Sequence, residues 1–112
     1  MPYINVKTNI PVAGESKEKI KSALGNAISD LPGKSESWLM VSIEAEQDLW
    51  FKGDKAPAAM VQVLKYGVGA QGTDKLTEDI TSIINGETAI PADRIYVAYF
   101  GTPNWGWNGS NF

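Results

Sequence analysis

The hydrophobic positions of this chain trace one pattern twice. Residues 2–8, Pro2-Tyr3-Ile4-Asn5-Val6-Lys7-Thr8, alternate with the period of a strand: Ile4 and Val6 lie on one face, Asn5 and Lys7 on the other. Pro11 to Gly14 break the alternation. Ile20, Leu24, Ala27, Ile28 and Leu31 then recur at helical spacing with lysines between them, and Pro32-Gly33 marks the expected stop. A second strand is predicted from about Trp38 to Glu46, where Leu39, Val41 and Ile43 alternate with Met40, Ser42 and Glu44. The order then repeats. Ala59, Val61 and Val63 predict a third strand ending near Tyr66-Gly67. Thr73 is placed to cap a helix carrying Leu76, Ile80, Ile83 and Ile84, and Asn85-Gly86 is its expected end. A final strand, Arg94 to Phe100, sets Ile95, Val97 and Tyr99 on one face.

Two βαβ units predict an α+β fold in one domain, residues 1–112, with an internal duplication of about 2–50 and 57–100. The expected architecture is a four-stranded mixed sheet. Right-handed crossovers allow both helices to cover the same sheet face. The other face would carry Trp38, Met40, Met60, Leu64, Tyr96, Ala98 and Phe100. That surface is too apolar to leave in water and no third helix exists to cover it, so a second subunit is the expected cover. Leu49-Trp50-Phe51 is a further candidate for pairing with a neighbour's sheet edge.

Composition narrows the chemistry. With 43% hydrophobic and 21% charged residues, a 112-residue chain can bury a modest core that assembly would reinforce. A net charge of -3 argues against a nucleic-acid surface, and no apolar run reaches membrane-spanning length. The N-terminus lacks the pattern of a secretory signal, so a cytoplasmic location is expected. Asn108-Gly109-Ser110 spells a glycosylation acceptor that would then stay unused. Gly67-Val68-Gly69-Ala70-Gln71-Gly72 matches a dinucleotide fingerprint. The next strand ends without an acidic residue for a ribose, and no room remains for a doubly wound sheet, so a tight turn is the plainer reading. Neither a cofactor nor a metal is expected.

The chain has no histidine and no cysteine, which removes the two commonest near-neutral catalytic side chains. Pro2 offers a substitute. If Met1 is trimmed, Pro2 becomes a secondary amine whose ordinary pKa lies near that of an α-amino group, about 7.7–8.0, and an apolar or cationic setting lowers it into the range of a general base. A proline here also simply starts a strand.

Pro2 at a strand start, Asn9-Ile10-Pro11, Gly33-Lys34, Pro91-Ala92-Asp93-Arg94-Ile95-Tyr96, and Gly106-Trp107-Asn108 with terminal Phe112 together resemble the macrophage migration inhibitory factor family of the tautomerase superfamily, which includes D-dopachrome tautomerase. The likeness spans nearly the whole chain. It implies a homotrimer with pockets between subunits and cofactor-free keto–enol tautomerisation of aromatic 2-oxo acids such as phenylpyruvate. By that resemblance Pro2 would be the base and Lys34 would hold the substrate carboxylate. Tyr66 would form a pocket wall, and Tyr96 would be contributed by the adjacent subunit. Trp38, Trp105, Trp107 and Phe112 would line the wall or rim.

Several positions depart from the family pattern. Vertebrate cytokine members carry an asparagine where this chain has Ala98, and a Cys-x-x-Cys motif where it has Ala58-Ala59-Met60-Val61. Trp105 replaces a smaller residue, and the loop before Gly106 is shorter. Pocket shape should differ accordingly. Without the resemblance, Lys34 reads as a solvated lysine after a turn, and the tryptophans as core or interface filler. Lys65 reads as a solvated strand lysine in preference to a source of positive potential at the pocket mouth. A cytokine-like partner-binding protein with a residual pocket is the alternative function; its receptor leaves no recognisable motif.

Overall fold

The computed structural model describes residues 1–112. Strand β1 (Pro2–Thr8) leads to helix α1 (Gly14–Ala27), which runs on into a short 3-10 turn, Ile28–Asp30. Strand β2 (Met40–Glu44) closes the first unit; β3 (Ala59–Tyr66), α2 (Thr73–Thr88) and β4 (Ile95–Thr102) form the second. A small hairpin, β5 (Gly106–Trp107) and β6 (Ser110–Asn111), ends the chain. No helix is long and apolar enough to cross a membrane.

The main sheet has the order β2-β1-β3-β4. β1 and β2 run parallel, as do β3 and β4, while β1 and β3 pair antiparallel at the centre. The two units therefore meet strand to strand and form the expected four-stranded mixed sheet. Ile4 and Val6 of β1 and Val61 and Val63 of β3 are fully or almost fully buried against Ile20 and Leu24 of α1 and Leu76, Ile80 and Ile84 of α2. Both helices thus cover one face, and the apolar stripe of each explains which side it turns inward.

The opposite face is bare. Met40 is 69% exposed, Tyr96 61% and Phe100 49%, and Leu64 also faces outward. Trp38 does not belong to this surface. Glu36–Trp38 form a 3-10 turn, so β2 begins at Met40 and Trp38 is set beyond the sheet end. Three other boundaries move. Gly72 precedes α2 in a left-handed conformation, and the Thr73 hydroxyl donates to the Ala70 carbonyl oxygen rather than capping the helix. The helix also continues through Asn85-Gly86 to Thr88, because the Asn85 side chain donates to the Ile90 carbonyl oxygen and the buried Ile84 and Ile90 hold that last turn in the core. Strand β4 starts one residue later than expected, at Ile95, and runs on to Thr102.

The long connection between β2 and β3 is clamped from two sides. The Asn9 side chain donates to the carbonyl oxygens of Leu49, Lys55 and Ala56 and accepts from the Ala58 N–H. The Arg94 guanidinium donates to the carbonyl oxygens of Phe51, Ala56 and Pro57, pairs with Asp54 at 2.9 Å, and lies over the Phe51 ring. Leu49-Trp50-Phe51 therefore stands on a rigid loop, with Trp50 exposed. Arg94→Ala should cost about 1.5–3 kcal/mol in denaturant unfolding, since several carbonyls lose a charged donor together. An unchanged midpoint would show that Asn9 suffices.

Candidate active site

The first residue of β1 is also the first element of the site. Pro2 is buried and lies opposite Lys65 of β3, while its neighbour Tyr3 lies opposite Met40, the first residue of β2. Pro2 consequently sits just beyond the end of β2. There it opens onto a groove of about 350 Å³ lined by Met1, Trp38, Met40, Trp105 and Trp107 among others. Trp38 and Trp107 meet edge to face, with ring centroids 5.2 Å apart. The turn that displaced Trp38 from the sheet is what brings it here.

The C-terminal hairpin supplies the other wall. Asn108 and Gly109 have φ of 53° and 87°, the pair of positive values that a two-residue type I′ hairpin requires. Asn108-Gly109 is therefore a folding signal that presents Trp107, a role that the glycosylation reading of the same residues passed over. The Phe112 N–H donates to the Trp105 carbonyl oxygen, and the Phe112 ring packs edge to face on Tyr66 at 5.3 Å.

A second cavity of about 190 Å³ is lined by Lys34, Lys65, Tyr66, Gly67, Gly69 and Gln71, with Leu31 and Pro32 behind them. The Lys34 ammonium donates to the Tyr66 carbonyl oxygen at 2.9 Å. Met1 stands between the two spaces. It lines the groove, its carbonyl oxygen accepts from the Tyr66 N–H, and its amino group feels Lys34. Burial, and then repulsion by the Lys34 ammonium, hold that amine below its ordinary pKa of 8.0.

The structure thus brings Pro2, Trp38, Trp105 and Trp107 to one groove, and Lys34 and Tyr66 to the cavity beside it, with Phe112 on the Tyr66 wall. Tyr96 is elsewhere. It pairs with Met60, five residues along β3 from Lys65, about 17 Å down the strand from the level of Pro2 and two strands across. Its ring packs on Phe51 of its own chain, at 5.0 Å. Ala98 also lies along β4, opposite Gln62, away from the groove. Lys65 corrects the sequence reading: it is not a solvated strand lysine but is only 7% exposed, with its ammonium donating to the carbonyl oxygens of Gly67 and Gly69. The signal was present, since Lys65 shares a strand face with Val61 and Val63.

The model of the macrophage migration inhibitory factor family matches residues 1–112. The macrophage migration inhibitory factor homolog of Trichuris trichiura is 30% identical over the full length of both chains. That of Brugia malayi is 29% identical, covering 100% of this chain and 99% of the relative. Among solved structures, Leishmania major MIF2 superposes with a TM-score of 0.91 at 34% identity, over 100% of this chain and 97% of that one. The homologue from Prochlorococcus marinus gives 0.87 at 29% identity, over 98% of each. Full-length similarity in sequence and in fold leads to one assignment: the chain belongs to the macrophage migration inhibitory factor family, and through it to the tautomerase superfamily.

Proposed function

We propose that this protein is a cofactor-free keto–enol tautomerase of phenylpyruvate-like 2-oxo acids, with the N-terminal amine of Pro2 as general base. The observation that carries this reading is the place of Pro2. It is buried in an aromatic groove, and the adjoining Met1 is hydrogen-bonded to Tyr66, whose carbonyl oxygen receives the Lys34 ammonium. The neighbouring Met1 amine is held below its ordinary pKa by burial and by Lys34, one residue from where the Pro2 amine would stand.

The chemistry follows from that placement. The neutral Pro2 amine takes a proton from C3 of the acid. The C–H electron pair forms the C2–C3 double bond as the carbonyl π pair moves onto the C2 oxygen, which takes a proton from water to become the enol, and Pro2 then gives its own proton back to water. Lys34 holds the carboxylate as a point charge, and the tryptophan groove takes the aryl ring. In this reading the working unit is a homotrimer in which a neighbouring copy supplies Tyr96 to each pocket. The bare outer face of the sheet and the distance of Tyr96 from Pro2 within one chain both support it. The two βαβ halves, about 2–50 and 57–100, are read as an internal duplication within one domain.

A phenylpyruvate enol–keto assay tests the activity. Lys34→Ala should lower kcat/KM about tenfold or more for phenylpyruvate, the loss of a charge-assisted hydrogen bond. It should have much less effect on the methyl ester, which carries no charge for Lys34 to meet. Equal losses on acid and ester would remove Lys34 from the acid-binding role.

A further inference from the structure

The lysine cavity contains more positive charge than one carboxylate anchor needs. Lys34 and Lys65 both line it, and no carboxylate does. The ion pairs of the molecule involve Lys19, Lys21, Lys55, Lys75 and Arg94, so neither cavity lysine has an acidic partner within 4.0 Å. A buried ammonium without a counter-ion is costly, and two facing one cavity are more so. Backbone carbonyls hold them in place. Lys34 donates to Tyr66, and Lys65 to Gly67 at 3.1 Å and to Gly69 at 2.6 Å. Each ammonium has three donors, so two remain on Lys34 and one on Lys65. The same contacts fix this loop as the cavity wall, and the positive φ of Gly67 and Gly72 accounts for glycine at those two positions.

We propose that Lys65 is a second ligand for the acid group in this cavity and sets its charge preference, so that the site takes a doubly charged acid head more tightly than a carboxylate. The inference rests on the reading of Lys34 as the acid anchor and adds a specificity-determining residue to it. Lys34 and Lys65 together would meet a tetrahedral dianion from two directions. The cavity volume of about 190 Å³ leaves room for a head larger than a carboxylate. A singly charged acid would leave one of the two ammoniums without a counter-charge.

The test is direct binding, independent of turnover. Benzylphosphonate and phenylacetate share the aryl group and differ in head charge; both are titrated calorimetrically into wild type and Lys65→Met at a pH where the phosphonate is a dianion. Wild type should bind the phosphonate about tenfold more tightly, the effect of one added charge-assisted hydrogen bond. Lys65→Met should bring the two affinities together, and Lys65→Arg should keep the preference. A variant in which both affinities fall by the same factor would reduce Lys65 to a staple for the glycine loop and overturn the proposal. Equal affinities in wild type would overturn it whether or not Lys65→Met folds. If Lys65→Met alone loses the preference while Pro2→Ala stays fully active as a tautomerase, the cavity assignment survives and the catalytic reading fails. If the preference is missing while Pro2→Ala loses tautomerase activity, the charge preference fails and the catalytic reading stands.

Discussion

A preparation that keeps Met1 is expected to lose phenylpyruvate tautomerase activity by on the order of a hundredfold or more, the usual contribution of a positioned general base. With Met1 in place the Pro2 nitrogen is an amide, which has no basic lone pair. The Met1 amine is free but stands one residue away, and Met1 adds to the wall of the groove that the substrate would use. Pro2→Ala should lose less, about tenfold, because it retains an N-terminal amine but frees the φ angle that the pyrrolidine ring locks. The pH dependence follows from the same surroundings. The base works when neutral, so activity should rise with pH, and burial together with Lys34 should place the midpoint below 8.0. Lys34→Ala removes the repulsion and should move that midpoint upward. N-terminal mass measurement alongside the rate assay decides the matter: full activity in a chain shown to begin with Met1 would exclude Pro2 as the base.

Mixing two impaired variants is expected to raise activity above that of either one. Pro2→Ala lacks the proline base, and Tyr96→Ala lacks the tyrosine expected from a neighbouring copy. Within one chain these residues stand at different levels of the sheet and two strands apart, so a shared pocket requires assembly. In a ring of three built at random from both variants, about a quarter of the interfaces combine an intact Pro2 with an intact Tyr96. Unfolding the two together and refolding them should therefore raise activity above either parent alone. Assembly should also be strong. Met40, Leu64, Tyr96 and Phe100 face outward in the single chain, and covering such side chains is worth about 1.5–3 kcal/mol each. Leu64→Glu would place a charge on that face and should yield smaller, less stable particles by sedimentation. A fully active monomer, or no recovery on mixing, would end the shared-pocket reading.

The alternation of Ile4 and Val6 with Asn5 and Lys7, and the helical spacing of Ile20, Leu24 and Ala27, were enough to place four strands and two helices in order. These are local periodicities, and burial on one face imposes them on the sequence directly. The bare outer face was legible for the same reason, because the second set of alternating positions was apolar and no element remained to cover it. Boundaries were less legible. Asn85-Gly86 carries the composition of a helix end, yet the tertiary contacts of Ile84 and Ile90 hold the helix through to Thr88. Trp38 fits a strand pattern by parity, yet a turn at Glu36–Trp38 sends it to the groove beside Pro2.

Pro2 apart, which the lack of histidine and cysteine singled out, the candidate site was legible only as a set of residues picked out by resemblance. Which of them meet is a matter of register and strand order, quantities to which no local pattern responds. The antiparallel pairing of β1 with β3 sets Pro2 against Lys65 and moves Tyr96 out of reach. The Asn108-Gly109 turn folds the C-terminus back so that Trp107 reaches Trp38 and Phe112 reaches Tyr66. Lys65 shows the division most plainly. Its identity as a lysine among valines was visible in the sequence, but a charge on an apolar strand face can end in solvent or in a cavity. Only the path of the glycine loop, whose carbonyls at Gly67 and Gly69 receive its ammonium, determined that this one is buried beside Lys34.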